Sequence, residues 1–207
     1  MVNINVIQLH QDFFRDSGFE YDPALNFFYK SFPHGNQVIY LNFSEYPDMN
    51  YLEYGLGIRI HQIEHLIHEF LPTVMDYADR SMTLIQSPQK ISNSIPPGFK
   101  IETEEQLYEA IENAKEFFST QGFLWLDSMI DPFNLEREFA SHKEIPFKSQ
   151  DFVYNSFRSV ALSKFYSRID YPVLRQFYLE KIKDKDMTPF SIAAFLKFLH
   201  YLDQVSV

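Results

Sequence analysis

Residues 26–60 read NFFYKSFPHGNQVIYLNFSEYPDMNYLEYGLGIRI and contain three runs rich in aromatic and β-branched side chains. Two turn clusters, at residues 33–36 and 46–48, separate these runs. Strand-like runs divided by Pro, Gly, Asn and Asp are typical of consecutive antiparallel strands. The stretch therefore predicts an antiparallel sheet around which the rest of the chain is organised.

The second and third runs alternate in a way that assigns their two faces, because successive strand side chains point to opposite sides of a sheet. One side is apolar and carries Ile39, Leu41, Phe43, Leu52, Tyr54, Leu56, Ile58 and Ile60. The other side, here called the polar sheet face, gathers Tyr40, Asn42, Tyr51, Glu53 and Arg59. This face is the candidate partner-binding surface. The alternative is that a helix packs over it and that its tyrosines are ordinary amphipathic cover.

Helical patterns surround the sheet. Apolar residues at spacings of three and four predict a short helix before it, ending near Gly18. After the loop NSIPPG at residues 93–98, a capping box at residues 103–106 opens a helix for which Gly122 supplies the stop, and further helices follow. SMTLIQ, at residues 81–86, is a possible fourth strand. The predicted class is α+β, with an antiparallel sheet of three to four strands flanked by helices and then a C-terminal helical array.

The domain prediction places an α+β sheet region at residues 1–98 and a helical region at residues 99–207, packed together as one compact unit. A chain of 207 residues is long enough to bury a substantial core. Its 22 Phe and 13 Tyr indicate a core built from large flat side chains rather than a cofactor site.

Charge and composition limit the partners. Twenty-eight acidic residues against eighteen basic ones give a formal charge of −10, which repels phosphate backbones and anionic lipid at long range. Nucleic acid and membranes are therefore not expected as partners, whereas a basic protein is compatible. The chain has no cysteine, no signal-peptide pattern and no apolar run of about 18 residues. We expect a cytoplasmic protein.

The candidate metal ligands are His61, His65 and His68, in the pattern HxxxHxxH. A helix aligns these imidazoles along one strip, and the pair at i, i+4 has the separation of helical two-histidine sites. The apolar residues of the same segment lie on the opposite side, so the main interpretation is a solvated strip. Gln62 also stands where the zinc-protease motif has its glutamate. A metal-binding protein or metal-dependent hydrolase is the alternative function.

Other catalytic and cofactor motifs are not found, and no cofactor is predicted. Gly55 and Gly57 lack the third glycine of a phosphate-binding loop and lie inside an alternating strand. No Gly-x-Ser-x-Gly sequence supplies a serine nucleophile. Self-association through exposed aromatic residues is a third possibility.

The layout also carries a resemblance. A short helix ending in Gly-Phe is followed by FFYKSF, QVIYLNF and YGLGIRI, and then by a capped helix with paired Phe. Over about residues 10–140 this pattern resembles small uncharacterised bacterial α+β domains, some of which are encoded beside polymorphic toxins as immunity-like proteins. The resemblance implies a non-enzymatic protein that binds a protein partner, and it transfers no functional residue.

Overall fold

The computed structural model describes residues 5–71, 78–143, 151–182 and 188–206. Within these residues the strands are β1 Glu20–Asp22, β2 Phe27–Phe32, β3 Gly35–Glu45, β4 Asn50–Ile60, β5 Leu84–Gln86 and β6 Phe99–Ile101. The helices are α1 Val6–Asp16, α2 His61–Phe70, α3 Pro88–Ile91, α4 Glu104–Phe117, α5 Phe123–Met129, α6 Pro132–Ser141, α7 Phe152–Tyr166, α8 Asp170–Lys181 and α9 Pro189–Gln204. None of these described helices has both the length and the apolar composition of a membrane span.

The strands form one sheet in the order β1-β2-β3-β4-β5, and β6 pairs with the first residues of β4. The antiparallel register runs from Glu20↔Tyr29 to Asp22↔Phe27 for β1 and β2, and from Phe27↔Tyr40 to Phe32↔Gly35 for β2 and β3. The predicted α+β class, with an N-terminal antiparallel sheet and helices in the C-terminal half, is confirmed. The sheet has more strands than predicted, because three-residue strands such as β6 are too short to show an alternation.

Contacts divide the chain into two compact units, one formed by Met1–Ile58 with Ile85–Ser128 and the other by Arg59–Leu84 with Met129–Val207. The predicted boundary at residue 98 does not coincide with this division. Helix α4 lies beyond residue 98 but packs on β6 in the first unit, whereas α2 directly follows the sheet in sequence yet belongs to the second unit. Sequence order therefore did not indicate which elements pack together.

An aromatic cluster centred on Phe14 forms the core of the first unit. The ring of Phe14 is fully buried, and its centroid lies 4.8 Å from that of Phe28 on β2 and 5.1 Å from that of Phe118. Tyr54 on β4 contacts Phe118 from the same side, at 5.8 Å. The apolar face of the sheet is thus the face that α1 and the Phe118 segment cover, as the alternation predicted.

Gly122 does not end a helix, contrary to the prediction. Residues Phe118–Gly122 form a π-helical turn that leads directly into α5. A Cβ added at Gly122 would lie 2.8 Å from Phe118 and 3.0 Å from Phe117. The glycine is therefore required for close packing, since the extra residue of the π-turn brings these rings against its backbone.

Helix α7 is the centre of the second unit, where it packs against α2, α6, α8 and α9. Its residues from Asn155 to Ser163 are all buried, whereas a helix packed on one side only would bury a single stripe. A helix that is surrounded on all sides must bury polar positions as well, and here these include Arg158. Among the rings around it, Phe157 lies 4.8 Å from Phe198 of α9.

One buried polar pair interrupts the aromatic core of the first unit. Nδ1 of His10 lies 2.7 Å from the carbonyl oxygen of Val6, and Nε2 lies 2.6 Å from the hydroxyl of Tyr54. These distances fit a neutral imidazole that donates from Nδ1 and accepts the tyrosine proton at Nε2. Burial lowers the pKa of His10 to about 4. The folded unit consequently excludes a proton that the unfolded chain binds below pH 6.5.

This imidazole makes stability fall as the pH drops from 6.5 towards 4, because in that window the unfolded state binds more protons. The His10 contribution to the free energy of unfolding decreases by about 2 kcal/mol between pH 7.5 and pH 5. Urea unfolding followed by fluorescence of Trp125, which lies in α5, measures the first unit. His10→Gln should lose this part of the pH dependence and the exposed control His34→Gln should keep it, so equal slopes would contradict the assignment.

Candidate functional site

Asn42 and Glu53 lie on the same side of neighbouring strands, as the alternation predicted. Asn42 is exposed on β3, and its Nδ2 donates to Oε2 of Glu53 on β4 at 3.2 Å and to the hydroxyl of Ser44 at 3.4 Å. These hydrogen bonds orient the Asn42 amide so that its carbonyl oxygen is available to accept a hydrogen bond. This pair is the accessible part of the polar sheet face.

The two tyrosines of the polar sheet face are half-buried. The Tyr40 ring packs edge-on against Phe27, with 5.6 Å between centroids. The Tyr51 ring lies so close to Gly98 that a Cβ there would come within 2.6 Å of it. For these two rings the alternative interpretation, ordinary amphipathic cover, describes the geometry better than an open binding surface.

Arg59 does not belong to an open surface, which corrects its assignment to the polar sheet face. Its side chain is 5% exposed and lies in the second unit. Nη1 donates to the carbonyl of Ala78 at 3.0 Å, to the Ser81 hydroxyl at 2.7 Å and to the Ser81 carbonyl. The alternation of β4 gave the right direction for Arg59, but it carries no information on what packs beyond the end of a strand.

A cavity of about 430 Å³ adjoins Asn42 in the first unit. Its walls are Asn5, Val6, Ile7, Asn26, Leu41, Asn42 and Phe43. None of these described lining residues is charged, and three of them have amide side chains that offer both donors and acceptors. Its volume falls within the range of about 300–1,000 Å³ typical of small-ligand sites.

The sequence analysis missed Asn5 and Asn26 because each has a local structural role. The Asn5 side chain caps α1 by accepting from the backbone of Gln8, and Asn26 adopts a left-handed conformation with φ of 58° at the end of the β1–β2 loop. Both roles are typical of asparagine. The sequence shows only that Asn5 precedes a helix and that Asn26 precedes a strand. These positions do not indicate that the two residues line the same cavity.

The three candidate metal ligands are not brought together. The rings of His61 and His65 stack with 6.0 Å between centroids, whereas Nε2 of His68 lies 2.9 Å from the Ser81 hydroxyl. Burial lowers the pKa of His61 and of His68. His65 is exposed, as the solvated interpretation expected. Among the described residues, no group of three or more His, Cys, Asp or Glu could hold a metal ion.

Glu64, next to this strip, forms a buried ion pair that the sequence analysis did not predict. Glu64 accepts two hydrogen bonds of 2.9 Å from Nε and Nη2 of Arg158, and both side chains are at most 4% exposed. Burial alone raises the pKa of Glu64, but the charge and hydrogen bonds of Arg158, with those of Thr83 and Ser81, outweigh it and hold the pKa low. The carboxylate is thus charged and satisfied inside the second unit.

Removal of one partner should be costly, because it leaves a buried charge without its counterion. Glu64→Ala is expected to lower the free energy of unfolding by about 3–5 kcal/mol, measured by urea unfolding with far-ultraviolet circular dichroism. The double variant Glu64→Leu, Arg158→Met should lose much less, since it buries no charge. The exposed neighbour change Glu69→Ala serves as control and should stay within about 0.5 kcal/mol. The buried pair would be refuted if the double variant lost as much free energy of unfolding as the single changes Glu64→Leu and Arg158→Met together.

Glu136, on α6, is a second buried carboxyl in the same unit. It is 2% exposed, and among the described residues its Oε1 has no hydrogen-bond partner. Burial, together with the negative charge of Asp170, raises the pKa of Glu136 to about 7 against the opposing effect of Arg137. The folded unit therefore prefers the protonated side chain at mildly acidic pH.

The pH dependence of stability that Glu136 causes has the opposite sign to that caused by His10. A folded pKa above the unfolded value of 4.5 gives stability that is complete below pH 4.5 and is lost as the pH rises through 7. Glu136→Gln, which stays neutral, should exceed the wild type by about 3 kcal/mol at pH 8 and match it near pH 4.5, measured by urea unfolding. Glu69→Gln is the matched exposed control. A Glu136→Gln variant that gains nothing at pH 8 would contradict the raised pKa.

Comparison with known proteins gives no match: no family model, no curated protein and no solved structure is similar to the chain. Function must therefore be inferred from the geometry of the chain's own residues.

Proposed function

We propose that this is a non-enzymatic protein that binds a basic protein partner through the accessible part of the polar sheet face. The binding surface consists of Asn42, Glu53 and the cavity between β3 and the start of α1. The observation that carries the proposal is that the exposed Asn42, which is hydrogen-bonded to Glu53, borders an amide-lined cavity of about 430 Å³. Exposed groups that can donate and accept suit a protein surface, which presents both kinds of polar group.

Charge supports a basic partner. The chain carries a formal charge of −10. The exposed Glu45 belongs to β3, which borders the cavity, and the half-buried Glu53 lies on the neighbouring strand β4, beside Asn42. Complementary charge accelerates the encounter of two proteins and disfavours partners of the same sign. A basic protein would thus be attracted at long range by the whole chain and locally by these carboxylates.

The narrower form of the proposal is an immunity-like role in the bacterial cytoplasm. Its support is the strand and helix layout that resembles small bacterial α+β domains encoded beside toxins. An immunity-like protein neutralises its partner by binding alone, which agrees with a surface made of amides and carboxylates without a nucleophile. The alternative of a metal-binding protein or metal-dependent hydrolase has less support, because His61, His65 and His68 do not converge.

The test is selective capture from a native lysate with the wild type and two charge-matched variants. Glu53→Lys reverses a charge on the binding surface, whereas Glu109→Lys makes the same change on the exposed side of α4. A true partner should be retained by the wild type and by Glu109→Lys, and retention by Glu53→Lys should fall at least about tenfold, because a like charge then faces the basic surface. Quantitative mass spectrometry of the retained proteins gives the comparison.

The captured protein should also cross-link to a photoreactive residue placed at position 42. Its association rate with the wild type should fall as salt is added, since the encounter is electrostatically steered. Proteins retained equally by all three forms are nonspecific. If no protein distinguishes Glu53→Lys from Glu109→Lys, the proposed surface is wrong.

A further inference from the structure

Strand β3 is longer than the strand that pairs with it on one side. β3 has 11 residues and β2 has six, and their register ends at Phe27↔Tyr40. β4 lies on the other side of β3. Among the described residues, no strand pairs with residues 41–45 of β3 on the β2 side. Within the part of the chain that the structure describes, these five residues are therefore an open sheet edge, and we call them the β3 overhang.

The hairpin register shows which backbone groups the overhang presents. Pro33 and His34 form a two-residue loop closed by the pair Phe32↔Gly35, and such a turn joins the flanking residues by a hydrogen bond. In an antiparallel pair, hydrogen-bonded positions recur at every second residue. Gln37 and Ile39 follow Gly35 in this series, and Leu41 and Phe43 continue it past the end of β2. Their N–H and C=O groups thus point away from β4, along the open edge.

The cavity described above lies along this edge. Leu41, Asn42 and Phe43 form one wall of it, and the start of α1 forms another. The edge strand on the same side of the sheet, β1, is protected differently, because it is three residues long and carries two acids, Glu20 and Asp22. Short, charged edge strands resist pairing with another chain. The β3 overhang has five residues and, among the described residues, a cavity beside it, so it can accept a strand.

We propose that an extended basic segment of the partner adds to the β3 overhang as an additional strand. This deepens the proposed function and rests on it. The main-chain groups of the segment pair with those of Leu41 and Phe43, which supplies affinity for an extended peptide of any sequence. Its side chains alternate between two sides. Those on one side enter the cavity beside Val6 and Ile7, and those on the other lie near Asn42 and Glu53, where Lys or Arg is favoured.

The probe is a synthetic acetylated octapeptide of alternating Val and Lys, titrated into the full chain while backbone amide shifts are recorded by NMR. A Val-Glu octapeptide tests charge, and a Val-Lys peptide with every backbone nitrogen methylated has no N–H to donate along either of its edges. Phe43→Pro removes the edge N–H, and Phe43→Ala removes the same ring but keeps the N–H. Thermal unfolding of both variants checks that the fold is intact.

Strand addition predicts that the Val-Lys peptide shifts the amides of residues 41–45 in the wild type and in Phe43→Ala. Phe43→Pro should bind about tenfold more weakly than Phe43→Ala, the expected effect of losing one backbone hydrogen bond. The methylated peptide and the Val-Glu peptide should bind at least tenfold more weakly than the Val-Lys peptide. The methylated peptide leaves the protein unchanged, so this comparison holds even if Phe43→Pro fails to fold.

Three outcomes overturn strand addition. One is equal binding of the methylated and unmethylated peptides, and another is an absence of shifts at residues 41–45 at millimolar peptide. The third is self-association of the free chain that Phe43→Pro abolishes, because the edge then belongs to a second copy. The proposed function is judged separately: a captured partner that is lost with Glu53→Lys but is indifferent to Phe43→Pro preserves the binding surface and rejects strand addition.

Discussion

Burial of one face of the β3–β4 pair under a cluster of phenylalanine rings is the constraint on which the first unit depends. Phe14 brings together α1, β2 and the π-helical turn, because its ring contacts Phe28 and Phe118 at about the shortest centroid distances that aromatic pairs adopt. Rings of this size bury large areas in few residues. A chain with 22 Phe can thus fix two helical segments on a small sheet, and the other features of the unit are placed by that attachment.

The open edge is a local consequence of how β2 begins. Asp22 accepts hydrogen bonds from the backbones of Ala24 and Leu25, and its own carbonyl accepts from Asn26. This tight turn, closed by Asn26 in the left-handed region, sets the first residue of β2 at Phe27. β3 continues beyond that point because its residues still alternate and still pair with β4. The overhang and its cavity therefore follow from a turn that starts β2 at Phe27 and from a neighbouring strand, β3, that continues without interruption.

The sequence predicted those features that depend on short-range patterns. Alternation gave the two faces of β3 and β4 and placed Asn42 beside Glu53, and the capping box at Thr103 is present. Features that depend on distant residues were missed. Glu64 and Arg158 are 94 positions apart, so nothing near either residue indicates its counterion. The predictions that placed Arg59 on the polar sheet face and Gly122 at a helix end were wrong for the same reason. Strand alternation and helix-stop rules do not describe what packs against the ends of an element.

The candidate site divides its chemistry between backbone and side chains, and this division bears on how selective it can be. Edge N–H and C=O groups recognise any extended chain, so alone they would invite unwanted pairing, a known liability of open sheet edges. Carboxylates at Glu45 and Glu53 disfavour acidic segments and a second copy of this acidic chain. Amides at Asn5, Asn26 and Asn42 are exposed in the free chain, and they favour a partner with polar groups at matching positions, because an amide that a partner covers and leaves unpaired is costly. In the proposed function, the negative charge of the chain would therefore disfavour pairing of the edge with a second copy and leave the edge available to a basic partner.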